Sequence, residues 1–293
     1  MSERELIAAP SMLPLFARAG AAMIPGASRL PFLGGGGGEV PDEVLTLSEV
    51  QTDRSRLAVY DRVCSFGLSD TLPPTWVHML AFPLHLALIT SARFPFPAIG
   101  LVHISNRIVQ HRPIGASETL SLRVWATAPE PHPRGTQFGI CTEARVGEEL
   151  VWEEVSTNLR RGPGSEPASS TAAPGPPSSE GLPATATWRL RGDLGRRYGA
   201  VSGDLNPIHV HPLTARLFGF PSAIAHGMWT KARCLAALGA SLPRSFTVDV
   251  AFKRPILLPA TVSFAEDRER QEVRFGVRDA ERDTPHLDGL LTT

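Results

Sequence analysis

The sequence predicts an α+β protein built from two copies of one unit, each an antiparallel sheet wrapped around a central buried helix. Three observations carry this expectation. Residues 81–89 are hydrophobic nearly all round and are followed by runs that alternate apolar and polar residues. The same order returns after residue 184, with 226–238 in the place of the apolar stretch. Arg112-Pro113-Ile114 recurs as Arg254-Pro255-Ile256, each time between two alternating runs. A helix apolar on every side has to be covered. Period-two alternation marks strands with one buried face, and a repeated order marks a repeated unit.

Taken in order, residues 1–42 read as an N-terminal extension. It holds a short apolar patch at 12–23 and a glycine run, Gly34 to Gly38. No Lys-Ser/Thr follows the glycines, so they read as a connector and not as a phosphate loop. The first folded unit is expected over 43–162. Leu57-Ala58-Val59-Tyr60 opens a helix, and 71–76 leads into the buried one. Pro83, within that helix, and Pro95 and Pro97 after it are expected to interrupt it and open space beside it. Strands are expected at 101–108 and 119–125, then a hairpin of 136–146 with 150–159 around Gly147.

Residues 163–183 are dominated by proline, glycine and serine without periodicity and read as a linker. The second unit, 184–293, opens with a strand at 185–190 and a helix at 192–201. Its buried helix, 226–238, precedes strands at 246–252, 260–265 and 272–277.

Composition excludes several classes of function. Hydrophobic residues make up 42% and charged residues 20% of the 293, as in a soluble globular protein. The 29 basic and 29 acidic residues cancel, which leaves no electrostatic footprint for nucleic acid or an anionic membrane. Cys64, Cys141 and Cys234 are odd in number and far apart. They make no disulfide framework and point to a reducing, cytoplasmic compartment. Glu3-Arg4-Glu5 lies where a signal peptide would need a basic and then an apolar stretch. The most apolar region, 79–102, is broken by His85, Arg93 and prolines before it reaches the length of a membrane span.

The chemistry concentrates at Ser202-Gly203-Asp204-Leu205-Asn206-Pro207-Ile208-His209. A carboxylate and an imidazole stand five positions apart on a segment that cannot be one regular helix. Pro207 lacks an N–H and disfavours the helical conformation at Asn206, and Gly203 permits a sharp turn. Such a loop can aim Asp204 and His209 at one small volume, where the pair can move protons to and from a water. Taken alone, a Gly-Asp-x-Asn-Pro run is also an ordinary turn. Asp204, His209, His211 and His226 could further be read as a metal donor set. His78, His85 and His103 read as core or helix-surface residues, and Cys234 as a small core residue.

With Tyr198 before this loop, Ala215 and Gly219 after it, and then Ala225-His226-Gly227-Met228, the stretch resembles the MaoC-like dehydratases, or (R)-specific enoyl-CoA hydratases. The resemblance extends over roughly 43–290. It implies a double hot-dog fold in which the first copy lacks the loop and is not catalytic. His211 stands where the family commonly has an acidic residue.

What the resemblance implies for the site is specific. Asp204 and His209 hold one water over the double bond of an enoyl thioester, without metal or other cofactor. Gly227 offers a backbone N–H to the thioester oxygen, or is small only for packing. Asn206 orients the loop or its water, or is a turn former. Ser202 and His226 support the loop. Tyr198, Phe82, Leu84 and Leu88 are the candidate acyl contacts. The partner is an acyl-CoA or acyl carrier protein thioester, with no nucleic acid or membrane partner, and the chain is a monomeric pseudo-dimer or a homodimer. The competing class is a hot-dog protein that binds or hydrolyses thioesters, whose catalytic carboxylate sits on the central helix.

Overall fold

The alternating runs form the strands that were expected, in a computed structural model that describes residues 2–21, 39–164, 175–239 and 242–293. The Gly34 to Gly38 run and residues 165–174 of the expected linker lie outside the described residues. The chain divides into two compact units that interleave along the sequence. One comprises residues 1–51, 78–104 and 119–173, the other 52–77, 105–118 and 174–293. The repeat boundaries read from sequence, 43–162 and 184–293, remain a proposal, since helix α2 (Arg54–Cys64) of the first half belongs to the second unit.

The first unit carries strands β1 (Ser2–Glu5), β2 (Glu43–Val50), β4 (Leu120–Ala126), β6 (Gly135–Val146) and β7 (Glu149–Arg161), hydrogen-bonded in that order. A short β5 (Glu130–His132) pairs with β6. β1 and β2 run parallel and the remaining pairs antiparallel. The β6–β7 hairpin closes at Val146↔Glu149, and Gly147 takes a left-handed φ of 55° there, which its missing side chain allows. Helix α3 (Trp76–Ile89) places His78 on Glu154 of β7 and His85 on Thr142 of β6. The interruption expected at Pro83 does not occur. The helix runs through it, held by Ala81, Leu84, Leu86 and Leu88, all buried.

In the second unit the strand order is β3 (Leu101–Gln110, from Ser105 on), β9 (Phe246–Phe252), β12 (Pro285–Thr292), β11 (Glu272–Asp279), β10 (Ala260–Arg268) and β8 (Ala184–Leu190). All these pairs are antiparallel. Helix α7 (Gly227–Leu238) lies on this sheet: Lys231, wholly buried, donates its ammonium to Asn106 O and Oδ1 on β3 and to Val248 O on β9. β12 is an addition to the expected strands. Its Asp288 is buried because its carboxylate accepts the N–H and hydroxyl of Ser179, at 2.9 and 2.6 Å. Ser179 lies in the expected linker, so the described end of that segment is anchored in the core. The three cysteines are free and buried.

The sequence echo has a structural counterpart within the second unit. Leu72 N–H donates to Ile114 O and Thr71 bridges Gly115; Ala225 N–H donates to Ile256 O and Ile224 bridges Leu257. Each Arg-Pro-Ile segment thus pins the backbone just ahead of a central helix.

Candidate active site

Helix α4 (Leu194–Ser202) delivers the chain to the site. It stops at Gly203, whose φ of 85° is the left-handed conformation that glycine adopts without strain, and the Gly203 N–H closes on Gly199 O. Arg56 of α2 donates Nε to Val201 O at 2.8 Å and Nη2 to Ser202 O at 3.3 Å. These are the orphan carbonyls of a helix end, where a cation is also favoured by the helix dipole.

From there, three side chains in succession cap the backbone N–H two residues on. Ser202 Oγ accepts from Asp204 N at 3.1 Å, Asp204 Oδ1 from Asn206 N at 3.1 Å, and Asn206 Oδ1 from Ile208 N at 3.3 Å. The spacing of Ser, Asp and Asn in the loop is therefore the spacing of three consecutive side-chain turns. Asn206 is the N-cap of helix α5 (Pro207–Val210), with Pro207 at the first position, where a missing N–H is harmless. Asn206 is thus a turn former in this structure.

The loop packs on a glycine face of α4. A β-carbon at Gly195 would collide with the His209 carbonyl, and one at Gly199 would stand 2.8 Å from the Asp204 carbonyl. The two glycines are one helical turn apart, so they set His209 and Asp204 down on the same side of α4.

His209 is buried, and its Nδ1 lies 2.8 Å from Ile224 O. A carbonyl only accepts, so Nδ1 carries the proton and the lone pair of the neutral ring is on Nε2. Burial pushes the His209 imidazole below its ordinary range, against the opposing pull of Asp204. His226, the residue before α7, donates Nε2–H to Asp204 O at 3.1 Å and lies 3.7 Å from Asp204 Oδ2. Its Nδ1 is buried without a hydrogen-bond partner among the described residues. Burial, and next the His209 ring, push His226 down to about 3. A nitrogen of each imidazole and an oxygen of Asp204 lie within 4.8 Å of one another.

Gly227 begins α7, and its first-turn N–H groups have no intrahelical partner. A β-carbon there would meet the Phe252 ring at 3.0–3.2 Å, so this glycine packs closely where it opens the helix beside His226. Tyr198 is buried against His226, with centroids 4.8 Å apart, and against Tyr60 at 6.1 Å. Phe82, Leu84 and Leu88 belong to the first unit; Leu84 and Leu88 are fully buried and Phe82 half-buried beside His78 and His85. His211 is exposed, accepts Leu213 N–H at its Nδ1 as the cap of helix α6 (Pro212–Arg216), and stays out of the Asp204 cluster.

Residues 177–289 match the profile of the MaoC like domain. Over 285 residues, 96% of this chain and 98% of the relative, the sequence is 34% identical to 3-hydroxyacyl-thioester dehydratase X of Mycobacterium tuberculosis. The chain belongs to the MaoC-like dehydratase family. Its structure superposes on the crystal structure of HtdX from Mycobacterium tuberculosis with a TM-score of 0.75, at 33% identity, covering 85% of this chain and 98% of that one. A conserved Mycobacterium tuberculosis protein described as a double hot-dog matches at a TM-score of 0.54 and 13% identity, over 87% of this chain and 98% of that one. With a central helix on the sheet of each unit, the fold is the double hot-dog, and the MaoC-like chemistry class is that of a carbon–oxygen lyase.

Reading the sequence missed Arg56, Ile224, Gly195 and Gly199. Arg56 and Ile224 give no local signal, because each acts across a long chain separation or through its backbone. The glycine pair does give one: glycine costs about 1 kcal/mol in a helix interior, so two a turn apart imply that something approaches closely.

Proposed function

We propose that this MaoC-like enzyme hydrates trans-2-enoyl thioesters to (R)-3-hydroxyacyl thioesters and catalyses the reverse dehydration, using a water held between Asp204 and His209. The observation that carries this reading is the tautomer of His209. With Nδ1–H committed to Ile224 O, the basic nitrogen is Nε2, and burial keeps the ring neutral. Two groups within 4.8 Å can share one water, since each hydrogen bond spans about 2.8 Å.

In the hydration direction His209 Nε2 takes a proton from the water as its oxygen bonds to Cβ. The π electrons of the double bond move toward the thioester, and its oxygen gains charge beside the first-turn N–H at Gly227. Such a donor acts where charge develops. The imidazolium, held against the Asp204 carboxylate, then returns a proton to Cα. The (R) configuration follows from the family resemblance, and chiral analysis of the product tests it.

A specific observation weighs against the hydrolytic alternative: neither α3 nor α7 carries an acidic residue, so neither central helix offers a catalytic carboxylate. Mixing the protein with crotonyl-CoA separates the two classes. Loss of the enoyl-thioester absorbance without free thiol supports hydration, and release of free thiol supports hydrolysis. Either CoA or an acyl carrier protein can carry the thioester, and an acyl-length series on both carriers decides between them. A role for Tyr198 beside the imidazoles goes with this proposal. So does a cytoplasmic setting; no helix among the described residues is long and apolar enough to cross a membrane.

A further inference from the structure

The first unit holds a second group of chemistry-bearing side chains that the hydration reaction does not use. Helix α3 is apolar at nearly every position, yet it carries His78 and His85 two turns apart. Opposite them, Thr142 and Glu154 are direct cross-strand partners on β6 and β7. Nδ1 of His78 lies 2.8 and 2.9 Å from the two oxygens of Glu154, and Nε2 of His85 lies 2.7 Å from Thr142 Oγ1. The rings of His78 and His85 meet edge-on at 5.1 Å, and the His103 ring lies parallel to His78 at 6.5 Å. His78 is 6% exposed, His85 3%, Glu154 2% and Thr142 1%.

Packing alone does not account for this group. A buried ion pair is often no better for stability than apolar residues of the same volume, because both charges must be stripped of water. Two imidazoles and a carboxylate are instead a donor set suited to zinc and its first-row neighbours. One nitrogen of His78, one of His85 and one oxygen of Glu154 already lie within 4.8 Å of one another. Tetrahedral zinc, with bonds of about 2.0–2.1 Å, spaces its ligand atoms about 3.3 Å apart. Opening the His78–Glu154 contact by about half an ångström reaches that spacing. The ligands come from a helix and a two-stranded hairpin, elements that hold their side chains in fixed directions.

We propose that His78, His85 and Glu154 bind one zinc-class divalent cation, with Thr142 positioned to complete or orient the set, and that the ion braces α3 against β6 and β7. The probes are Zn²⁺ and Co²⁺ added to the full chain after treatment with chelator and desalting. The wild type is expected to retain about one equivalent of Zn²⁺ through gel filtration and to gain a higher Tm with it. Co²⁺ in its place is expected to show the visible d–d bands of a four-coordinate nitrogen and oxygen site. His85→Gln and Glu154→Gln, which keep the side-chain volume, are expected to lose the retained metal, whereas Asp204→Asn keeps it. The proposal is overturned if the wild type retains no Zn²⁺ and shows no Co²⁺ bands, a measurement that needs no variant to fold. It is equally overturned if Asp204→Asn abolishes retention while His85→Gln preserves it, which would place the metal at the catalytic loop.

Discussion

His209 and His226 stack face to face, with ring centroids 3.7 Å apart and planes 23° from parallel. Two buried imidazoles at that distance cannot both be charged, because each proton would repel the other in a medium that screens poorly. At most one ring of the pair carries a second proton, burial lowers both, and the two differ in what each ring already holds. His226 is fixed through Nε2 by its bond to the Asp204 carbonyl, and His209 through Nδ1 by its bond to the Ile224 carbonyl, which leaves the His209 lone pair on Nε2.

Activity should consequently persist below the pH at which an ordinary histidine becomes protonated. A general base works while deprotonated, so the acid limb of kcat/KM is expected below about 6.5. A pH profile with crotonyl-CoA checks this; a limb at or above that value would remove His209 from the role of neutral buried base.

Stability should move with pH in the same region. His226 and His85 stay neutral in the fold down to about 3. An unfolded chain takes up those protons from about 6.5 downward. Between these limits the unfolded state binds more protons, so stability is complete above about 6.5 and falls as pH drops toward 3. Denaturant midpoints across this window are expected to fall with pH, and to fall less steeply in His226→Gln.

The glycine face of α4 gives a sharper expectation. Gly195→Ala drives a methyl group into the His209 backbone, and Gly199→Ala presses one on Asp204. Overpacking of this kind costs about 1–3 kcal/mol. Displacing a reacting group by about an ångström costs roughly 10²-fold in rate. Loss of kcat beyond the change in Tm, read from steady-state kinetics and thermal melts, is the expected signature. Normal kcat in a folded Gly195→Ala protein would show that α4 does not position His209.

Arg56 should matter although it lies in the N-terminal half of the sequence, far from the Asp204 loop. Its guanidinium caps the carbonyls of Val201 and Ser202, the last residues of α4 ahead of Asp204. Arg56→Met leaves both without that donor, at a cost of about 1.5–3 kcal/mol for a hydrogen bond to a charged group. It is expected to lower kcat more than KM, with partial rescue by Arg56→Lys. An effect on Tm with unchanged kcat would confine Arg56 to a structural role.

Much of this was legible in the sequence because the relevant signals are local. Alternation marked β4, β6 and β7, and the side chains of Ser202, Asp204 and Asn206 each act on the backbone two residues away. β12 was not legible, because Asp288 and Gly289 break its apolar pattern, and the partners that make a buried carboxylate acceptable there, Ser179 and the Lys253 ammonium at 3.3 Å, are distant in sequence. The continuity of α3 through Pro83 was missed for a related reason: tertiary burial overrode a local helix-breaking preference. The Arg56 cap was invisible because its partners lie 145 and 146 positions away.

The central claim is that Asp204 and His209 act as one unit on one water, and single-turnover hydration of crotonyl-CoA by four proteins tests it most directly. The wild type, Asp204→Asn, His209→Ala and the double variant are compared, with the fold of each verified by circular dichroism. Each single change is expected to lower the rate by about 10²–10⁴-fold, and the double to be little slower than the worse single, since groups acting together are not additive. A folded single variant that hydrates at near the wild-type rate, or a double whose loss is the full product of the two singles, would contradict the account.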